Sequence, residues 1–123
     1  MFDSLKAAGA LAGLMRNKEA LAAAATRVQA RLESLRVDGQ AAGGAVRVTV
    51  NGKMKVTDVR IDPVFAQHSL GPDPVAAGVI IAAATNAAID RAQALVKEEL
   101  QHEAKALGLD EIPGFDKLMS LTS

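Results

Sequence analysis

Residues Gly43 to Pro63 read GGAVRVTVNGKMKVTDVRIDP, and this stretch decides the fold. Val46, Val48 and Val50 alternate with Arg47, Thr49 and Asn51, the period of two expected of a strand with one buried and one wet face. Asn51-Gly52 supplies a turn, because both residues tolerate the positive φ that the central positions of a tight hairpin loop demand. Val56, Thr57, Val59 and Ile61 carry the return strand, interleaved with Lys55, Asp58 and Arg60. Val59 and Ile61 share one face while Val56 falls on the other, which predicts a bulge or a change of covering partner near Thr57 and Asp58. Asp62-Pro63 ends the strand, since proline has no N–H to give a ladder. Upstream, Val37 to Ala42 forms a first short strand, and Gly43-Gly44 turns it into the hairpin. A phosphate-binding glycine loop follows a strand and opens a helix, whereas these glycines join two strands, so they are not a nucleotide loop.

Long helices flank the strands. The first runs from Asp3, an N-cap, to Arg36, where Val37-Asp38-Gly39 breaks the pattern. Leu11, Leu14, Lys18, Leu21, Ala25, Val28, Leu32 and Leu35 are spaced alternately by three and four, a heptad seam with Lys18 as its polar intruder. Such a helix is roughly 50 Å long, against a radius of gyration of about 14 Å for a compact chain of this size. Its projecting seam therefore needs a partner, and a second copy is the simplest one. Gly9 and Gly13 lower helix propensity near its start or mark close packing points. After a loop or broken turn over Phe65 to Asp73, the second long helix is apolar nearly all round from Val75 to Ile89, which predicts burial on more than one side. Asn86 within it is expected to be buried and to tie the helix to a backbone edge or a symmetry mate. Beyond Asp90 the helix turns acidic through Glu98, Glu99 and Glu103 and closes at Gly108. The expected fold is α+β: one domain over 1–123, with a long N-terminal helix (1–36), a three-stranded antiparallel sheet (37–62), a long C-terminal helix (74–107) and a tail (108–123). Two copies are expected to form an intertwined homodimer with projecting helices.

Composition narrows the function. Half of the 123 residues are hydrophobic, enough for one core, and the aromatics are only Phe2, Phe65 and Phe115. Single-strand or RNA recognition by stacking is thereby disfavoured. The absence of cysteine removes disulfides and thiolate chemistry and fits a reducing cytoplasm. The apolar run Ala7 to Met15 is too short for a membrane span and lacks the basic flank of a signal peptide, so no membrane partner is expected. His68 and His102 have no companions at ligand or triad spacing, and adjacent Glu98 and Glu99 point to different parts of a helix surface. No enzyme, cofactor, metal site or small-molecule substrate is expected.

The zero net charge conceals a gradient. Residues 1–36 hold six Lys or Arg against three Asp or Glu, residues 37–62 four against three, and residues 63–123 four against eight. A polyanion should meet the first helix or the sheet. With Arg16 as the origin of a helical wheel, Arg27 lies at about 20°, Arg31 at about 60° and Lys6 at about 80°, while the leucine seam centres at about 160°. Lys6, Arg16, Arg27 and Arg31 thus share one outward stripe, which serves either as a solvated face or as a phosphate contact. Arg47, Lys53, Lys55 and Arg60 make the hairpin basic, diluted by Asp58 and Asp62.

The pattern Gly-Gly-x-Val-x-Val-x-Val-Asn-Gly, then Val-x-x-Val-x-Ile-Asp-Pro, resembles the YbaB/EbfC family of small bacterial nucleoid-associated proteins. Met1-Phe2 with Leu14-Met15-Arg16 is similar to the family's opening, Ala82-Ala83-Ala84-Thr85-Asn86-Ala87 to its second-helix signature, and Ile112-Pro113-Gly114-Phe115 to its Pro-Gly-Phe tail. The resemblance implies a DNA-binding homodimer in the cytoplasmic nucleoid, with roles in chromosome organisation, gene regulation or recombination repair. It also tips the stripe of Lys6, Arg16, Arg27 and Arg31 toward contact with duplex DNA phosphates. The chain departs from the family at Thr85, where an aromatic is usual, at Ala87, where an acid is usual, and in having only Arg91 as a nearby base after Asn86. Those departures suit the alternative, a homodimeric protein-interaction scaffold with little DNA affinity.

Overall fold

The structure, a computed structural model, describes residues 18–108. Helix α1 spans Lys18–Ser34, followed by strands β1 (Val37–Ala41), β2 (Val46–Val50) and β3 (Val56–Ile61). A one-turn helix α2 (Pro63–Phe65) runs into a π-type turn over Ala66–Leu70, and helix α3 spans Pro74–Ala106. The strands form one antiparallel meander in the order β1-β2-β3, as the alternation predicts, and the architecture is α+β. Leu11, Leu14, Gly9, Gly13 and the tail with Phe115 lie outside the described residues. Phe65 to Asp73, expected as a loop or broken turn, is largely helical. The Asp62 carboxylate accepts from the Val64 and Phe65 amides at 2.8 and 3.3 Å, and Asp73 caps α3 by accepting from the Ala76 amide at 3.1 Å.

Packing explains the alanine content. Val46, Val48 and Val50 of β2 and Ala84, Ala88 and Ala92 of α3 are all 0% exposed and belong to one core cluster with Val37 and Leu70. Gly39 of β1 lies directly under α3: a Cβ placed there would run into the Ala88 amide nitrogen and the Ala84 carbonyl oxygen and sit 2.7 Å from the Ala88 Cα. The helix and the strand meet backbone to backbone, which only glycine facing alanine allows.

The bulge falls where the valine pattern places it. Thr49 pairs with Asp58 and Val50 with Val56, leaving Thr57 as the extra residue. One added residue brings Val56 onto the same face as Val59 and Ile61.

The hairpin turn differs from expectation. The loop is closed by the Asn51 amide donating to the Lys55 carbonyl at 2.9 Å, and the residue of positive φ is Met54, at 62°. The Asn51 side-chain oxygen accepts from the Lys53 and Lys55 amides at 2.9 and 3.1 Å. Gly52 is there for proximity: its amide donates to the Leu32 carbonyl at 2.7 Å, and a Cβ would lie 2.8 Å from that oxygen. The loop is thus fastened to the end of α1, and Lys53 Nζ adds an ion pair to Glu33 at 2.6 Å. The Lys53 hydrogen bond, then its charge, lowers the Glu33 carboxyl below the usual glutamate range.

Replacing Gly39 by Ala should destabilise the fold by about 1–3 kcal/mol through overpacking against the α3 backbone, measured as a fall in the urea midpoint without a change in slope. Because the Glu33 pKa is depressed by folding, its ion pair supports the fold above the ordinary glutamate range and is lost as pH falls through the folded value. Lys53→Met should return the Glu33 titration to the ordinary range by carboxyl NMR. An unmoved midpoint would show that the Lys53 contact does not set it.

Candidate nucleic-acid interface

Of the expected DNA-contacting residues, Lys6 and Arg16 lie outside the described residues, while Arg27 and Arg31 lie one turn apart on α1. The buried residues of α1 are Ala24 and Val28, whereas Leu21, Leu32 and Leu35 are half-buried and Lys18 and Ala25 exposed. On the wheel that set the leucine seam at about 160°, Ala24 sits at about 80° and Val28 at about 120°. The contact face is thus rotated toward the cations, and the stripe runs alongside α3 rather than pointing wholly outward. Arg27 reaches Glu103 at 3.1 Å, and Arg31 pairs with Glu99 and, at 3.5 Å, with Glu103. The hydrogen bond to Glu99, then that carboxylate's charge, raises the Arg31 pKa. Both guanidinium side chains nonetheless stay about half exposed, at 58% and 48%. The pairing left a trace in the sequence that the single-helix reading passed over: Arg27 and Arg31 are four apart on one helix, and Glu99 and Glu103 four apart on the other.

A second cationic surface lies on the sheet face turned away from α3. The ladder places Arg47 directly opposite Arg60, and Thr49 opposite Asp58. With Arg36, Asp38 and Thr57 these side chains line a shallow polar concavity of about 440 Å³. Arg60 Nε donates to Asp58 at 3.0 Å, and Asp38 accepts from Thr49 Oγ1 at 2.6 Å. Among the described residues Arg47 makes no ion pair.

An apolar surface is also open. Val56 and Val59 on the inner face of β3 are 49% and 46% exposed, and Val75 and Val79 on the first turns of α3 are 80% and 67% exposed. The Val75 to Ile89 stretch of the second long helix is therefore open on the side away from the sheet within the protomer. Asn86, expected to be buried, is exposed, because Ala84 and Ala88 take the sheet side and place residue 86 on the opposite side of the helix. The helix has the length and apolarity of a membrane span, but its alanine edge is packed on the sheet. His68 and His102 are both exposed. Among the described residues no group of three or more His, Cys, Asp or Glu is placed to hold a metal ion.

Comparison with known proteins gives a consistent result. Residues 8–107 match the YbaB/EbfC DNA-binding family. A nucleoid-associated protein of Anaeromyxobacter sp. (strain Fw109-5) is 36% identical over 101 residues, covering 82% of this chain and 92% of the relative. A nucleoid-associated protein of Chlorobium phaeobacteroides (strain BS1) is 36% identical over 92 residues, covering 72% and 78%. An uncharacterized protein of Helicobacter pylori with a solved crystal structure matches at a TM-score of 0.49 and 18% identity, covering 76% of this chain and 96% of that one.

Proposed function

The chain belongs to the YbaB/EbfC DNA-binding family, and from that premise we propose that it is a nucleoid-associated protein that binds duplex DNA as a homodimer, mainly through backbone phosphates. The family is one of DNA-binding proteins rather than of enzymes, and its relatives' names place them in the bacterial nucleoid, hence the cytoplasm. Chromosome organisation, gene regulation and recombination repair are the roles that suit such a protein. The observation that carries the phosphate reading is the pair Arg27 and Arg31, half exposed one turn apart on α1, with Arg16 and Lys6 assigned to the same stripe by their spacing in the sequence. Arg27 and Arg31 keep about half of their side-chain surface in solvent, so a phosphate can approach them from outside while their ion-pair partners Glu99 and the buried Glu103 stay on the α3 side. The same pairing, together with zero net charge, favours the second reading, a scaffold with little DNA affinity.

The second copy follows from the uncovered apolar surface. Val56 and Val59 of β3 and Val75 and Val79 of α3 carry no charge, and a self-complementary apolar patch is closed most simply by an isologous partner. Asn86, on the side of α3 away from the sheet, then sits where a polar residue fixes register between paired helices.

Two measurements test these points. Arg27→Ala with Arg31→Ala should weaken binding to unrelated duplexes alike and flatten the salt slope by roughly 0.9 per lost contact, whereas Glu99→Gln should tighten binding by freeing Arg31. Wild-type protein that does not bind duplex DNA at low salt supports the scaffold instead. Light scattering should report a dimer for the wild type and a folded monomer for Val59→Asp with Val79→Asp; a monomeric wild type overturns the assembly.

A further inference from the structure

We infer that the outer face of the sheet is a second phosphate-binding surface, on which Arg47, Arg60 and Arg36 together grip the backbone of duplex DNA. The inference rests on the DNA-binding reading and extends it to residues on two strands and the connection between α1 and β1. Cross-strand partners in a ladder stand about 5 Å apart at Cβ, and like charges placed so oppose each other. Arg47 and Arg60 are such a pair, held there by the register of β2 and β3. The Arg60–Asp58 ion pair offsets only part of that repulsion, and an anion between the two guanidinium groups would remove the rest and gain fork-shaped hydrogen bonds.

The neighbouring groups leave this charge available. Arg60 gives its Nε to Asp58 at 3.0 Å, while Asp38 is occupied by the Thr49 hydroxyl at 2.6 Å. Arg36 gives Nη1 to the carbonyls of Glu33 and Leu35 at 2.7 and 2.9 Å, which fixes the side chain at the mouth of the concavity. Arg47 is exposed and makes no ion pair among the described residues, in contrast to Arg27 and Arg31, each of which already shares its charge with a carboxylate. The lining residues are Arg, Asp and Thr throughout, with no apolar or aromatic wall for a base or a sugar. An open polar cup of this kind fits a polymer's backbone phosphate rather than a nucleotide.

The test compares wild type, Arg47→Ala with Arg60→Ala, and Arg47→Lys with Arg60→Lys in duplex DNA titrations across salt concentrations. The alanine pair should flatten the salt slope by roughly 1.8 per protomer, equally on unrelated duplexes, and the lysine pair should keep most of it. The melting temperature should hold or rise in the alanine pair, since a repulsive pair is removed. If the double variant does not fold, Arg47→Gln alone should flatten the slope by roughly 0.9. DNA binding with a slope unmoved by these variants overturns the inference and leaves the DNA reading standing, whereas a wild type that binds no duplex overturns both. Saturable binding of millimolar inorganic phosphate that the alanine pair abolishes, with DNA binding unchanged, would assign the cup to free phosphate and overturn the inference as stated.

Discussion

The rest of the molecule depends on the backbone contact between Gly39 and the Ala84-Ala88 stretch of α3. With no Cβ on one side and a methyl on the other, helix and sheet approach until van der Waals contact involves main-chain atoms. That closeness selects alanine along the whole buried edge, at Ala84, Ala88 and Ala92, and sets the valines of β2 as the layer beneath. It also fixes the rotation of α3 about its axis. Once Ala84 and Ala88 face the sheet, Val75, Val79 and Asn86 have nowhere to point but outward. The contact centres on β1 and β2 and leaves the inner face of β3 uncovered. One glycine therefore determines both what the protomer buries and which apolar surface it leaves uncovered.

Charge is partitioned in the same architecture. Glu99 and Glu103, in the second half of α3, lie beside Arg27 and Arg31. The sheet face turned away from α3 holds Arg36, Arg47 and Arg60 beside Asp38 and Asp58, so its own two carboxylates leave one cation in excess. Net charge is a poor guide to polyanion binding where opposite charges are folded together on one helix pair and a cation is in excess on another surface.

Features set by local chemistry were legible in the sequence. Period-two alternation, the misplaced Val56 and the Asp-Pro stop each depend on residues within a few positions of one another, and strands, bulge and strand end fall where they indicate. Features set by remote chain were not. Asn51-Gly52 has the composition of a tight turn, but the loop takes its shape from the Leu32 carbonyl, which Gly52 approaches from across the fold. The exposure of Asn86 follows from which helix edge Gly39 admits. Of the candidate DNA-binding stripe the structure describes Arg27 and Arg31, which lie one turn apart on α1 as their spacing indicates. Their pairing with α3 was hidden, because a wheel drawn for one helix cannot show the charge on its neighbour.

Helix α1 is held to the rest of the protomer differently from α3. Its buried contribution is small, Ala24 and Val28, and its docking to α3 adds ion pairs from half-exposed Arg27 and Arg31 to Glu99 and to the buried Glu103. Its other fastening is at its end, where the Leu32 carbonyl and Glu33 bind the hairpin loop. A phosphate and a carboxylate present the same oxygen chemistry to a guanidinium, so DNA on the proposed stripe would compete with Glu99 and Glu103 on α3 for the same groups. The two equilibria would then be coupled reciprocally: whatever loosens α1 from α3 would favour DNA on α1, and DNA on α1 would loosen it from α3 by the same free energy. The sheet face carries no such competition from α3, since the sheet itself stands between them. Duplex bound there would leave the α1 ion pairs intact, so the two surfaces differ in what binding does to the protomer: one reorganises a helix, and the other uses a surface already in place.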